Sequence, residues 1–208
     1  MPCAFVHPEY GKTDCQFAVP ENELMAFNGQ RWCVYHLPMQ AKDGTGSPKA
    51  GYSWEEVSPF NADIFARIEA TVAQTRPKAE EERAAEGNPS EQENEYKEPL
   101  DLSGVIFPGP ISFSEKTLPD ITFSQAQFSS FADFRGAEFS GNAYFTKVQF
   151  SGRADAFADF REAQFSGRAD FQEAQFSGYA YFTKVQFSGR ADFTITPSNP
   201  SEEGPQRI

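Results

Sequence analysis

Cys3, Cys15, Cys33 and His36 supply most of the soft and borderline ligands in a chain of three Cys and two His. The stretch Cys33-Val34-Tyr35-His36 has the Cys-x-x-His spacing with which one turn presents two ligands to one ion. With Cys3 and Cys15 it would complete a tetrahedral Cys₃His site, closed to substrate and therefore structural zinc rather than catalytic zinc. Such an ion would stabilise a segment, residues 1–50, too small to fold on its own apolar surface. Eleven residues separate Cys3 from Cys15, so no tight knuckle forms there, and buried or free thiols are the competing reading. His7 is an alternative fourth ligand, or else a surface residue. An odd number of thiols fits a reducing compartment better than a disulfide framework, which points to the cytoplasm.

Catalysis finds little else to work with. No Gly-rich phosphate loop follows a strand, and His36 is better used as a ligand than in a Ser-His-acid or Cys-His-acid set. The carboxylates of the C-terminal half recur regularly on what would be convex faces, with nothing to raise their pKa values. The chain reads as a non-enzyme.

The formal charge of −12 over 208 residues suggests a polyanion mimic until its placement is considered. Residues 77–98 hold eight Glu against three Lys or Arg, whereas residues 100–194 hold eleven acids against eight bases. The acidity sits in a linker, and the Phe-rich half is close to neutral. No run approaches a membrane-spanning helix, and the N-terminus lacks a signal-peptide pattern.

Phe is the structural clue, with 22 in the chain. Phe128, Phe134, Phe139, Phe145 and Phe150 follow each other at alternating steps of 6 and 5, and Phe160 to Phe193 continue the rhythm. Two residues before nearly every Phe stands a small residue, such as Ala132, Ala143, Val148, Ala169 or Ala174. The sequence AYFTKVQFSGRAD occurs at 143–155 and again at 180–192, an offset of 37 residues. That is three elevens plus four, and removing Ala156–Asp159 restores the rhythm, so these four residues should bulge from a regular array. An eleven-residue period also suits a right-handed coiled coil. The recurrent Ser-Gly argues against it, since Gly costs about 1 kcal/mol in a helix interior. Phe, Thr and Val suit extended backbone, and each Gly would serve a corner with positive φ. The repeat predicts an all-β solenoid.

Segments such as ADFRG, AEFSG, AQFSG and VQFSG resemble the pentapeptide-repeat family, over about Leu100 to Phe193. The resemblance implies a right-handed quadrilateral β-helix whose central Phe and preceding small residue both point inward. Units alternate between five and six residues here, giving 22 per coil and about four coils, roughly 20 Å of solenoid at the usual strand spacing. Arg168 and Arg190 should stack on one face beside Asp170 and Asp192, with Arg153 half a turn away. They form either a ladder of compensating charges or a docking strip, and Phe157 in the bulge is a further candidate contact. The Cys/His segment is similar to those preceding some bacterial members of the family.

Between the two regions, residues 53–86 predict an amphipathic helix capped by Ser58, with Pro59 in its first turn and Phe60, Ile64, Phe65, Ile68 and Val72 on one side. An acidic linker at 87–99 would isolate the zinc module from the solenoid at 100–194, and 195–208 reads as a disordered tail. The preferred function is a scaffold or protein-interaction module with an unidentified protein partner, without nucleic acid, and with a homodimer through a solenoid end as one arrangement. The alternative is a DNA mimic that binds DNA gyrase, which the resemblance to the family's quinolone-resistance members implies.

Overall fold

The computed structural model describes residues 3–7, 15–75, 99–151 and 157–194. From Leu100 onward the chain winds as a four-faced β-solenoid of about four turns, its strands paired in parallel across successive turns. The first face is built from Leu100–Asp101, Ile121–Thr122, Ala143–Tyr144, Ala169–Gln172 and Ala191–Thr194. The second comprises Ile106–Phe107, Gln127–Phe128, Gln149–Phe150 and Gln175–Phe176. The third comprises Ile111–Ser112, Ala132–Asp133, Phe157–Asp159 and Tyr179–Tyr181, and the fourth runs from Thr117–Leu118 through Glu138–Phe139 and Gln164–Phe165 to Gln186–Phe187. Ala143 pairs with Ile121, and Ala191 with Ala169, so a regular coil advances 22 residues.

The bore explains the Phe excess. Each face contributes one large apolar side chain per coil, a Phe everywhere but Leu102 and Leu118, and register stacks these in columns. Phe113, Phe134, Phe160 and Phe182 form a column with centroids 4.8, 4.6 and 5.0 Å apart and ring planes within 9°. Phe123, Phe145, Phe171 and Phe193 form another at 5.2, 4.8 and 4.9 Å. Rings from neighbouring columns meet edge to face, as Phe145 does Phe134 at 88°, the arrangement the ring quadrupole favours. Only a small side chain fits between columns, and Ala132, Ala137, Ala143, Val148, Ala169 and Ala174 are all fully buried.

Two kinds of corner alternate, and their chemistry is the reverse of what the glycines predict. At every second corner the carbonyl of the central residue accepts from the N–H three residues on, as Phe113 O does from Lys116. The third residue of each such turn has positive φ: Gly104 and Gly136, but otherwise Glu115, Gln125, Lys147, Glu162, Glu173 and Lys184. The Ser-Gly glycines at the other corners do a different job. A Cβ on Gly167 would lie 2.7 Å from the carbonyl of Gly141 in the previous coil. Gly is there because two backbones approach closely, not because φ is positive.

The insertion also falls elsewhere than expected. Phe157, Ala158 and Asp159 lie in the third face, with Ala158 opposite Ala132 and Ala180. The surplus residues therefore precede Phe157. Residues 152–156, including Arg153, lie outside the described residues, as do the predicted linker up to residue 98 and the tail from 195.

The helix α1 spans Trp54–Thr75 and starts earlier than Ser58 suggests. Ser53 is the cap: Glu56 accepts from the Ser53 backbone N–H at 2.8 Å and from its hydroxyl at 3.1 Å. This is the Glu half of a capping box over Ser-Trp-Glu-Glu, in which the carboxylate reaches back to the cap N–H, and it leaves Pro59 inside the helix. Val57, Phe60, Ile64 and Ile68 are buried on its inner side. Phe60 stands edge-on to Phe107, and Phe65 meets Phe113 at 5.4 Å, so α1 lies against the first coil. Among the described residues no helix is long and apolar enough to cross a membrane.

Candidate metal centre

Three local structures bring the ligands together. The strands β1 (Met25–Phe27) and β2 (Gln30–Trp32) form a hairpin whose two-residue loop, Asn28-Gly29, has φ of 50° and 72°, the pair of positive values such a loop needs. Ala4 donates to Arg31 O at 2.7 Å, which lays Cys3 beside the hairpin. Cys33 follows β2 and opens a turn in which its carbonyl accepts from His36 at 3.2 Å and Leu37 at 2.9 Å. Cys15 arrives in a separate turn closed by Ala18.

The four ligand atoms lie within 4.8 Å of one another. His36 Nδ1 is 3.2 Å from Cys33 Sγ, 3.5 Å from Cys15 Sγ and 3.8 Å from Cys3 Sγ, and the Cys15 and Cys33 sulfurs are 3.6 Å apart. A tetrahedral ion with ordinary Zn–S and Zn–N bonds would set sulfur–sulfur edges near ~3.8 Å and sulfur–nitrogen edges near ~3.6 Å. The cluster can hold a metal ion, and the set leaves no open position.

The three thiols share their ionisation unequally. Cys3 is held well below the ordinary thiol range by hydrogen bonds from Cys15 and Cys33. Cys33 is pushed far above it by Cys15 and Cys3, with burial adding to the effect, and Cys15 is raised chiefly by Cys3. One thiolate is satisfied by its two neighbours. Ionising all three requires a cation among them.

The imidazole is oriented for the task. His36 Nε2 lies 3.1 Å from the carbonyl of Ser103 in the first coil. A carbonyl accepts only, so Nε2 carries the hydrogen and Nδ1 is left as the ligand atom. Phe5 stacks on the ring at 3.8 Å and 11°. The same phenyl covers Gly104, where a Cβ would collide with it.

His7 is neither a ligand nor a surface residue. It is buried, with Nε2 3.0 Å from Asp101. Gln16 donates to Ser103 O at 2.9 Å, and Ile106 donates to Tyr35 O at 2.9 Å. The module thus sits directly on the first coil, contrary to the expectation that a linker isolates the two. These contacts satisfy and cover the first coil at that end, which would otherwise be an open strand edge. The other end differs: Phe187 and Phe193 are 36% and 44% exposed.

The predicted outer residues are distributed as follows. Arg168 bridges Asp170 at 2.7 Å and Asp192 at 3.0 Å, and Arg190 bridges Asp192 at 2.7 Å. On the third face Arg135 and Arg161 hold the nearly buried Asp133 and Asp159 in the same way. Phe157 packs against Phe131 at 4.1 Å and meets Tyr181 edge-on at 5.8 Å, while Tyr179 is 71% exposed. The contact of the Ser103 carbonyl with His36 and the buried Lys49 were not anticipated from the sequence. Neither stands in a local pattern.

The fold defines a four-faced β-solenoid with a Cys/His cluster at one end. Residues 157–194 match the family model described as pentapeptide repeats (9 copies). Comparison with curated proteins and with solved structures returned no match.

Proposed function

We propose that the chain is a non-enzymatic scaffold: a rigid solenoid, closed at one end by a structural zinc module, that binds a protein partner along its third face. The observation that carries this reading is the row of outward aromatic side chains Phe131, Phe157, Tyr179 and Tyr181. Aromatic residues are enriched at the cores of protein interfaces, and this row runs along a rigid ladder in register, with Phe157 opposite Tyr179. Zinc is the ion that three thiolates and one imidazole in a closed tetrahedral set suit best.

The DNA-mimic alternative needs carboxylates free to act as phosphates. Here the Asp residues before the central Phe are tied to Arg: Asp133, Asp159, Asp170 and Asp192 each within hydrogen-bonding distance of a guanidinium. Paired in this way, their field fades within about one Debye length, roughly 8 Å at physiological salt.

A photo-crosslinking residue at position 179, compared with one at Gln186 on the fourth face, tests the surface. A discrete adduct from 179 alone, lost in Tyr181→Ser, is the expected result. Equal capture from both faces would refute the third-face assignment. Inhibition of gyrase supercoiling at micromolar protein would replace it with the DNA-mimic reading.

A further inference from the structure

We propose that Lys49 is the built-in counter-charge of the Cys3, Cys15, Cys33 and His36 centre, a positioning residue that holds the Cys33–His36 turn and neutralises the metal–thiolate complex. The inference rests on the zinc reading above.

A loop delivers this lysine. Residues 37–52 fold back through the bond from Ser47 N–H to Met39 O at 2.9 Å and a bridge between Gln40 and Gly46, and a 3₁₀ turn at Pro48–Gly51 carries Lys49 inward. The side chain is fully buried. Its Nζ donates to Val34 O at 2.5 Å and Tyr35 O at 3.1 Å, the two carbonyls between Cys33 and His36 in the ligand turn. The ammonium also lies 4.7 Å from the centroid of Phe60 on α1. Helix, loop and ligand turn therefore converge on one positive charge.

A buried ammonium is costly unless something anionic balances it. Burial pushes the pKa of Lys49 down to about 7, and its hydrogen-bond partners are neutral carbonyls rather than a carboxylate. The metal complex supplies the missing anion. Three thiolates, one neutral imidazole and a divalent ion sum to one negative charge, and one lysine brings the total to zero. Three thiolates rather than two thus match one buried lysine. This accounts for a cationic side chain at a position where an apolar one of the same length would fill the space.

Charge balance and mere packing are separated by a compensation experiment on the full chain, with zinc measured by competition against a chromogenic chelator and coordination read from the cobalt(II) spectrum. Wild type must take up zinc in this assay; if it does not, the zinc reading itself fails and the counter-charge role goes with it. Lys49→Met should weaken zinc binding about 10–100-fold, the range for outer-shell partners of metal ligands. The cobalt spectrum should keep its three-sulfur character, and Lys49→Arg should recover most of the affinity. Cys15→His makes the zinc complex neutral, so adding Lys49→Met to it should cost less than threefold or improve binding. If Lys49→Met alone does not fold, a folded, zinc-binding Cys15→His/Lys49→Met double variant still supports the counter-charge. Unchanged affinity in Lys49→Met, an equal loss in both backgrounds, or misfolding of both variants would overturn it.

Discussion

Removing a ring from the bore should cost an amount set by its height in the column. Phe145 is fully buried and stacked on both sides, 5.2 Å from Phe123 and 4.8 Å from Phe171. It also meets Phe134, Phe139 and Phe160 edge-on. Emptying a packed aromatic site costs about 3–5 kcal/mol. Phe145→Ala belongs at the upper end, because rings held in register above and below cannot slide in to fill the space. Phe193 closes the same column but stacks only on Phe171 and is 44% exposed. With about half the burial and one stacking partner, Phe193→Ala should cost ~1–2 kcal/mol. Phe176, half-buried in the last full coil, should fall between them. The assay is urea unfolding of zinc-loaded protein followed by circular dichroism, with stability taken from the shift in midpoint at constant slope. Equal losses at Phe145 and Phe193, or a loss under ~1 kcal/mol at Phe145, would refute the stacked-column account of the core.

Cys33→Ser should abolish zinc binding and, because His36 and Tyr35 bond to Ser103 and Ile106, also speed amide exchange over the first coil; unchanged protection of Leu102–Phe107 would contradict the direct docking of the module. Acid should release zinc from wild type, since protons compete for three thiolates and an imidazole, and binding that does not weaken between neutral and mildly acidic pH would exclude this ligand set. Deleting residues 154–157 gives the same chain as deleting 156–159, and should change the urea midpoint little, because five residues cross the same corner between Phe128 and Phe134; unfolding would show that the longer crossing is needed. Gly136→Val should cost ~1–2 kcal/mol through strain at φ 62°, whereas Gly136→Asn should be nearly neutral because Asn tolerates that region; equal costs would mean the backbone at this corner is not held there.

The solenoid was legible because a periodic fold writes its period into the chain. Phe steps of 5 and 6 with a small residue two places earlier state which residues face the bore, and identical coils placed in register leave the stacking little freedom. The Cys/His cluster was legible from Cys33-x-x-His36 with two further Cys, because ligand chemistry is restricted to few residue types. Degenerate local signals were not decidable from sequence. Ser53 and Ser58 both offer a helix start, and the Ser53–Glu56 box prevails with the inner face of α1 packed on Phe107 and Phe113. Ala-Asp occurs twice before Phe160, and register with Ala132 and Asp133 selects the second copy as the strand. The glycine corners were misread because close approach of two coils is a contact between residues 26 apart, Gly141 and Gly167, which no local rule contains. Lys49 reaches the ligand turn, and His36 reaches Ser103, only because the module folds back onto the first coil. Periodicity and ligand type are properties of neighbouring residues in the chain. The approach of Lys49 to the ligand turn and the closure of the solenoid's end depend on which distant segments share a buried space, and that is decided by tertiary packing.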